Sequence, residues 1–239
     1  MKIEIIPCLQ DNYAYLIIDE KKNIGCVIDP SESAPIIEYL EKNKINLKFI
    51  LNTHHHFDHV GGNKKLKEKY GANVIGFKGD KDKIPGIDIL VDDQEIWKYE
   101  SFESKIIHIP GHTLGHVCFY FYNNKSIFTG DTLFSLGCGR IFEGTYSQMY
   151  ESLKKIKDLP QDTKVFCGHE YTIQNSKFCM LHDKNNENLK KKIKEVKKKL
   201  QNNLPTIPST IKDELECNIF LRSNNIKTFS KLRDLKDNF

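Results

Sequence analysis

Within Thr53-His54-His55-His56-Phe57-Asp58-His59, the residues His54, His56 and His59 bring three imidazoles, and Asp58 a carboxylate, into six positions. Nitrogen and oxygen donors of this kind suit Zn²⁺, Fe or Mn. His54 and His56 are two apart and follow the apolar stretch Lys48–Leu51, so at a strand end they point to the same side. His55, between them, points away and is not expected to be a ligand. Isolated histidine pairs are usually surface groups; the HxHxDH spacing is what argues for a metal here. Three later positions have the same character. His112 lies in Pro110-Gly111-His112-Thr113-Leu114-Gly115-His116, Asp131 in Thr129-Gly130-Asp131-Thr132, and His169 in Cys167-Gly168-His169-Glu170. Each is a ligand-type residue just past an apolar stretch, with a glycine beside it where the backbone can turn tightly. A lone Gly-His or Gly-Asp is more often a turn, but four such places in one chain form a constellation.

Short apolar runs must position these groups. Strands are expected at Ile3–Ile6, Tyr13–Ile18, Gly25–Ile28, Lys48–Leu51, Lys105–Ile109, Val117–Tyr122, Ser126–Thr129 and Lys164–Cys167, several of them β-branched or aromatic. Helices are expected at Ala34–Asn43, Asn63–Lys69 and Gln148–Lys157. From about Glu170 the strand signal fades and helical periodicity takes over, interrupted by the two-proline loop LPTIPST. The pattern predicts a mixed α/β domain over residues 1–169 and a small helical domain over 170–239.

The motifs THHHFDH, PGHTLGH, GDT and GHE, in that order, resemble the metallo-β-lactamase superfamily, whose fold is an αββα sandwich. Within it, DNYAYLI, LFSLGCGRIFEGT, GHEYT and the terminal LRDLKDNF are similar to glyoxalase II, over nearly the whole chain. The resemblance implies two divalent metal ions, Zn most readily and Fe or Mn as alternatives. His54, His56 and His112 would bind the first, Asp58, His59 and His169 the second, and Asp131 would bridge them. It implies hydrolysis of S-(2-hydroxyacyl)glutathione thioesters by a metal-bridging hydroxide held at Asp131 and Asp58. Two such ions can lower the pKa of shared water from 15.7 toward ~7, so no protein nucleophile is needed. Gly137-Cys138-Gly139 could suggest a cysteine nucleophile, but no motif pairs it with a base. His108, His116 and Asp29 read as supporting groups. Asp29 could orient a ligand imidazole by accepting its second N–H, or it could simply close a turn at Asp29-Pro30.

The glutathione moiety carries carboxylates, so cationic donors should line its site. The family pattern implies Arg140, Phe142, Tyr171, Arg233 and Lys236 as substrate contacts. Arg233 and Lys236 sit three apart, hence on one helix face; by position alone they would read as a solvated helix end. Some glyoxalase II sequences have Lys at the place of Arg140 and Tyr at that of Phe142, so one substrate hydrogen bond is lost here.

Composition bounds the remainder. The formal net charge of +4 is concentrated in residues 170–239, a balance that suggests an acidic partner, nucleic acid or a small anion. Leu189, Ile193, Val196, Leu200 and Leu204 recur every three or four positions, which favours one buried helical stripe with the lysines as its solvated face. The seven cysteines are scattered with no CxxC pair, and neither a signal segment nor a roughly 20-residue membrane span is visible. The expectation is a cytoplasmic monomer acting on a small glutathione thioester, with no nucleic acid or membrane partner. Two rival enzymes share the superfamily. A persulfide dioxygenase would not call for Arg233 and Lys236, and a nucleic-acid-processing hydrolase would use the basic tail. A non-enzymatic metal module is the third alternative; structural metal sites are usually closed.

Overall fold

The computed structural model describes residues Met1–Phe239. The chain forms two compact units, Met1–His108 with Gly115–Asn124, and Ile109–Leu114 with Lys125–Phe239.

In the first unit, β1 (Lys2–Cys8), β2 (Asn12–Asp19) and β3 (Ile24–Ile28) pair antiparallel. Then β4 (Asn46–Leu51), β5 (Asn73–Phe77) and β6 (Ile87–Val91) extend the sheet in parallel, giving six strands in chain order. Parallel neighbours need crossovers. These include α1 (Ala34–Lys42) between β3 and β4, and α2 (Phe57–Val60) with α3 (Asn63–Tyr70) between β4 and β5. Leu16, Val27, Leu47, Ile50 and Val74 of the sheet pack with Ile36 and Leu40 of α1 and Leu66 of α3 in one core. The alternate residues Ile17, Cys26, Ile28 and Leu51 are buried too, so these strands read as continuous apolar runs. Burying each such Leu, Ile or Val contributes about 1.5–3 kcal/mol. Strands β7 (Ile96–Tyr99), β8 (Phe102–His108) and β9 (Val117–Phe121) form an antiparallel meander in the same unit.

In the second unit, β10 (Ser126–Gly130) is followed by a small hairpin of β11 (Leu133–Phe134) and β12 (Gly137–Cys138). Helix α4 (Tyr146–Lys157) starts at Thr145, whose side chain caps the Gln148 amide in a reciprocal capping box. Strand β13 (Lys164–Cys167) lies parallel to β10. Helices α5 (Thr172–His182) and α6 (Glu187–Gln201), strand β14 (Ser209–Thr210), and helices α7 (Ile211–Cys217) and α8 (Ile226–Asp237) complete the chain. Because β14 pairs antiparallel with β13, the tail supplies an edge strand to the segment before it. That is why Lys125–His169 groups with the helices by compactness, although the sequence pattern changes near residue 170.

Every expected strand and helix is present, with ends within a few residues. Strands β5, β6 and β7 were not anticipated, since Gly76 and the charged residues of β6 and β7 blur their patterns. Helix α6 buries Leu189 and Val196, half-buries Ile193 and Leu200, and ends before Leu204, which is exposed. One lysine departs from the solvated face: Lys192 is buried and pairs with Asp213 at 3.1 Å. No helix is long and apolar enough to cross a membrane.

Candidate functional site

Three of the motifs follow the carboxyl ends of parallel strands, the usual place for a site in open α/β sheets, while His112 follows the antiparallel β8. Past β3, Asp29 takes a left-handed conformation (φ +48°), and past β4 the chain enters the histidine segment. His54 and His56 therefore lie on a loop rather than on the strand itself. That loop is pinned by three bonds: the Asn52 amide donates to the Ile75 carbonyl at 2.9 Å, the Thr53 amide to Asp29 Oδ1 at 2.8 Å, and the Val117 amide to the Thr53 carbonyl at 2.8 Å. His54 Nε2 and His56 Nδ1 come within 3.1 Å of each other, so the two rings do share a side. His55 turns elsewhere, to Asp80 Oδ2 at 2.9 Å.

Asp29 does more than close a turn. Its Oδ2 accepts from Thr53 Oγ1 at 2.6 Å and contacts His59 Nδ1 at 3.0 Å, all three groups being buried. The Thr53 amide and hydroxyl hold the carboxylate in place as an acceptor for the His59 Nδ1–H, which turns Nε2 to the other side of the ring. That nitrogen lies 3.6 Å from Asp58 Oδ2. Asp58 is oriented in turn by Asn12, whose Nδ2 donates to its carbonyl and to its Oδ2, each at 3.0 Å. Asn12 was missed as a site residue, although the DNYAYLI motif contains it. The buried His116 ring stacks on His54 at 4.6 Å, and His108 stacks on Phe77 at 4.4 Å.

The second unit repeats the logic. Gly130 (φ +47°) turns the chain after β10 and delivers Asp131; His169 follows β13. His112 Nδ1 donates to the Arg140 carbonyl at 2.7 Å, which fixes its Nε2 as the acceptor on a neutral ring. Asp131 Oδ2 lies 3.5 Å from His112 Nε2 and 3.3 Å from His169 Nε2. Both imidazoles and the carboxylate are buried. The return strand passes so closely that a Cβ on Gly139 would fall 1.8 Å from the Asp131 carbonyl oxygen. Two imidazole nitrogens gathered at one carboxylate oxygen are a donor set that fits divalent metal.

Asp131 and His112 also open onto a cavity of about 370 Å³ within this unit, walled by Phe134, Cys138, Arg140, Phe142, Tyr171, Asn175, Arg233 and Lys236. All five residues expected to contact substrate line it. Tyr171 stacks flat on His169, with centroids 4.6 Å apart, and Phe142 meets His112 edge-on while mostly exposed. Arg233 is only 4% exposed. It donates to the Cys138 carbonyl at 2.6 Å and, through Nε and Nη2, to Asp237 at 3.2 and 2.8 Å. Arg140 Nε reaches the same Asp237 oxygen at 3.3 Å. Lys236 lies over the rings of Phe178 and Phe239; burial, with Arg233 nearby, holds its pKa below the usual lysine range.

Cys138 is a wall residue, not an activated thiol. Burial pushes its pKa up despite the neighbouring Arg233, and Arg233 is held chiefly by its carbonyl. Replacing Cys138 by Ala should leave turnover within about threefold, a barrier change under about 1 kcal/mol. Near-complete loss of activity in a folded, metal-replete variant would contradict this.

Comparisons with known proteins agree with the geometry. The metallo-beta-lactamase superfamily profile matches residues 10–95 and 79–169, and the profile described as hydroxyacylglutathione hydrolase C-terminus matches residues 170–239. A hydroxyacylglutathione hydrolase of Pelagibacter ubique (strain HTCC1062) is 74% identical over 239 residues, covering 100% of both chains. One from Methylococcus capsulatus (strain ATCC 33009 / NCIMB 11132 / Bath) is 39% identical, covering 100% of this chain and 99% of its own. Among solved structures, ETHE1 from Myxococcus xanthus superposes with a TM-score of 0.75 at 22% identity, over 98% of this chain and 90% of that one. The BLEG-1 B3 metallo-beta-lactamase gives 0.73 at 21%, over 93% and 100%. At those identities the structures speak for the fold alone, the mixed α/β metallo-β-lactamase fold. On full-length sequence similarity, the chain belongs to the hydroxyacylglutathione hydrolase (glyoxalase II) family of the metallo-β-lactamase superfamily.

Proposed function

We propose that the chain hydrolyses S-(2-hydroxyacyl)glutathione thioesters, such as S-D-lactoylglutathione, to a 2-hydroxy acid and glutathione. The observation that carries this reading is the Asp131 carboxylate lying between the His112 and His169 ring nitrogens at the mouth of a cation-lined cavity. In this reading His54, His56 and His112 hold one divalent ion, Asp58, His59 and His169 hold another, and Asp131 is shared. Five imidazoles and two carboxylates suit Zn²⁺ first, with Fe or Mn acceptable to the same donors. When bound, the ions supply an activated solvent nucleophile and offset negative charge developing on the thioester oxygen.

The protein's own groups do the positioning. Asp29 and the Arg140 carbonyl fix the tautomers of His59 and His112, and Asn12 holds Asp58. Asp58 and Asp131 are the carboxylates beside the attacking water. The water oxygen forms the new C–O bond, the C–S bond breaks, and glutathione leaves as its thiolate. Residues 1–169 act as the metal-binding catalytic domain and residues 170–239 as the glutathione-binding domain. Lys236 and Arg140 face the glutathione carboxylates, Tyr171 offers a hydroxyl, and Phe142 an apolar face without one. Arg233, already engaged with Cys138 and Asp237, anchors the wall and has only its remaining N–H groups for substrate. The basic face of α6 is partly neutralised within the fold, since Lys190 pairs with Glu187 and Lys192 with Asp213.

Asp131→Asn should lower metal content and activity together. The activity loss should exceed the roughly 10–100-fold typical of residues that only orient a ligand, while the folded signal persists. An Asp131→Asn enzyme with two metals and near-normal turnover would refute the bridge.

The substrate side has its own test. A charge-assisted hydrogen bond contributes about 1.5–3 kcal/mol, so Lys236→Met should raise KM for the glutathione thioester by about 10- to 150-fold, at the lower end because the site is wet. The carboxylate is remote from the scissile bond, so kcat should change less. A small thioester lacking glutathione should be unaffected. Because burial and the nearby Arg233 lower the pKa of Lys236, its charge is lost as pH rises through a value below the lysine norm. Glutathione affinity should therefore fall with rising pH in wild type and stay flatter in Lys236→Arg. Equal effects of Lys236→Met on both substrates would remove the reason for naming glutathione.

A further inference from the structure

The hairpin of β11 and β12 turns at Ser135-Leu136 and carries two cavity residues, Phe134 and Cys138. Its turn is clamped from the helices through nearly every backbone group. The Leu136 amide donates to Glu214 Oε2 at 2.9 Å, and Asn218 Nδ2 donates to the Gly137 carbonyl at 3.0 Å and to the same Glu214 oxygen at 2.9 Å. Asn175 Nδ2 holds the Ser135 carbonyl at 3.1 Å, and the Cys179 thiol the Leu136 carbonyl at 3.1 Å. Leu136 has φ +60°, a left-handed conformation that a branched residue keeps only where its surroundings hold it. Glu214 and Asn218 are both fully buried, one turn apart at the end of α7. A buried carboxylate without a cation partner is costly, and neither metal chemistry nor catalysis explains this one.

We infer that Glu214 and Asn218 are positioning residues for the glutathione wall: they fix the hairpin turn, and through it the Cys138 carbonyl that holds Arg233. The chain of contacts runs from Glu214 to the Leu136 amide, along β12 to Cys138, and from its carbonyl to the Arg233 guanidinium at 2.6 Å. The inference rests on the proposed glutathione site and adds the device that shapes it. Burial pushes the Glu214 carboxyl up to about 7, against the pull of its donors. Oε2 can accept from Leu136 and Asn218 whether or not the group is protonated, so the role requires an acceptor oxygen rather than a charge.

The test compares Glu214→Ala, Glu214→Gln and Asn218→Ala with wild type, all metal-loaded. Metal content, steady-state kinetics on a glutathione thioester and on a small thioester, and calorimetric binding of glutathione are measured. Loss of one ordinary hydrogen bond corresponds to about two- to tenfold, so Glu214→Ala and Asn218→Ala should raise KM and the glutathione Kd by about that factor. Their kcat, metal content and rate on the small thioester should stay near wild type. Glu214→Gln, which keeps the acceptor, should restore wild-type affinity. If Glu214→Ala does not fold, Asn218→Ala alone carries the expected shift. Unchanged glutathione affinity in Asn218→Ala overturns the inference, and so does loss of kcat and metal alongside KM on both substrates. If Lys236→Met behaves as proposed while these variants bind glutathione normally, the positioning role fails and the substrate reading stands. If Lys236→Met is also silent, both fail.

Discussion

Buried acceptors facing acceptors impose the constraint around which this protein is organised. In the first unit a carboxylate fixes the proton of His59 on one nitrogen and leaves the other aimed near Asp58. In the second, a backbone carbonyl does the same for His112, whose Nε2 lies near Asp131 together with that of His169. Lone pairs gathered in this way favour positive charge among them. The energy that holds these groups in place comes from the apolar cores behind them. Burial of residues such as Leu16, Ile50 and Leu66 supplies that energy at positions remote from the chemistry.

The same constraint explains the turns. The proposed ligands come just past strand ends, where the backbone needs no further ladder partners and can bend. Asp29 and Gly130 take left-handed conformations at two such bends. Gly139 is required for a different reason, since any side chain there would collide with the backbone of Asp131.

The proposed metal donors were legible in the sequence because their chemistry needs particular residue types at short spacings, and the family motifs supplied the rest. The strands that deliver them were legible because they are buried on both faces. Strands β5 to β7 were not, because Gly76 interrupts β5, while Asp88 of β6 pairs with Lys67 and Lys98 of β7 with Glu103. Lys192 looked like part of a solvated face, yet Asp213, brought in by α7, makes its burial tolerable. Asn12, Asp237, Glu214 and Asn218 could not be found by spacing. Their partners lie 46, 97, 78 and 81 residues away, so only the fold shows what each one holds. Arg233 illustrates the limit of motif reading: its place in LRDLKDNF suggested a free clamp, and its 4% exposure and existing bonds make it first a part of the wall.

We propose that two metal ions share Asp131. Manganese offers a direct test, because two Mn²⁺ ions joined by a common carboxylate are magnetically coupled while separate ions are not. Metal-free protein titrated with Mn²⁺ should bind two ions per chain and develop an exchange-coupled paramagnetic resonance signal as the second ion enters. A single ion per chain at saturation, or two ions giving only the signal of isolated Mn²⁺, would contradict the account.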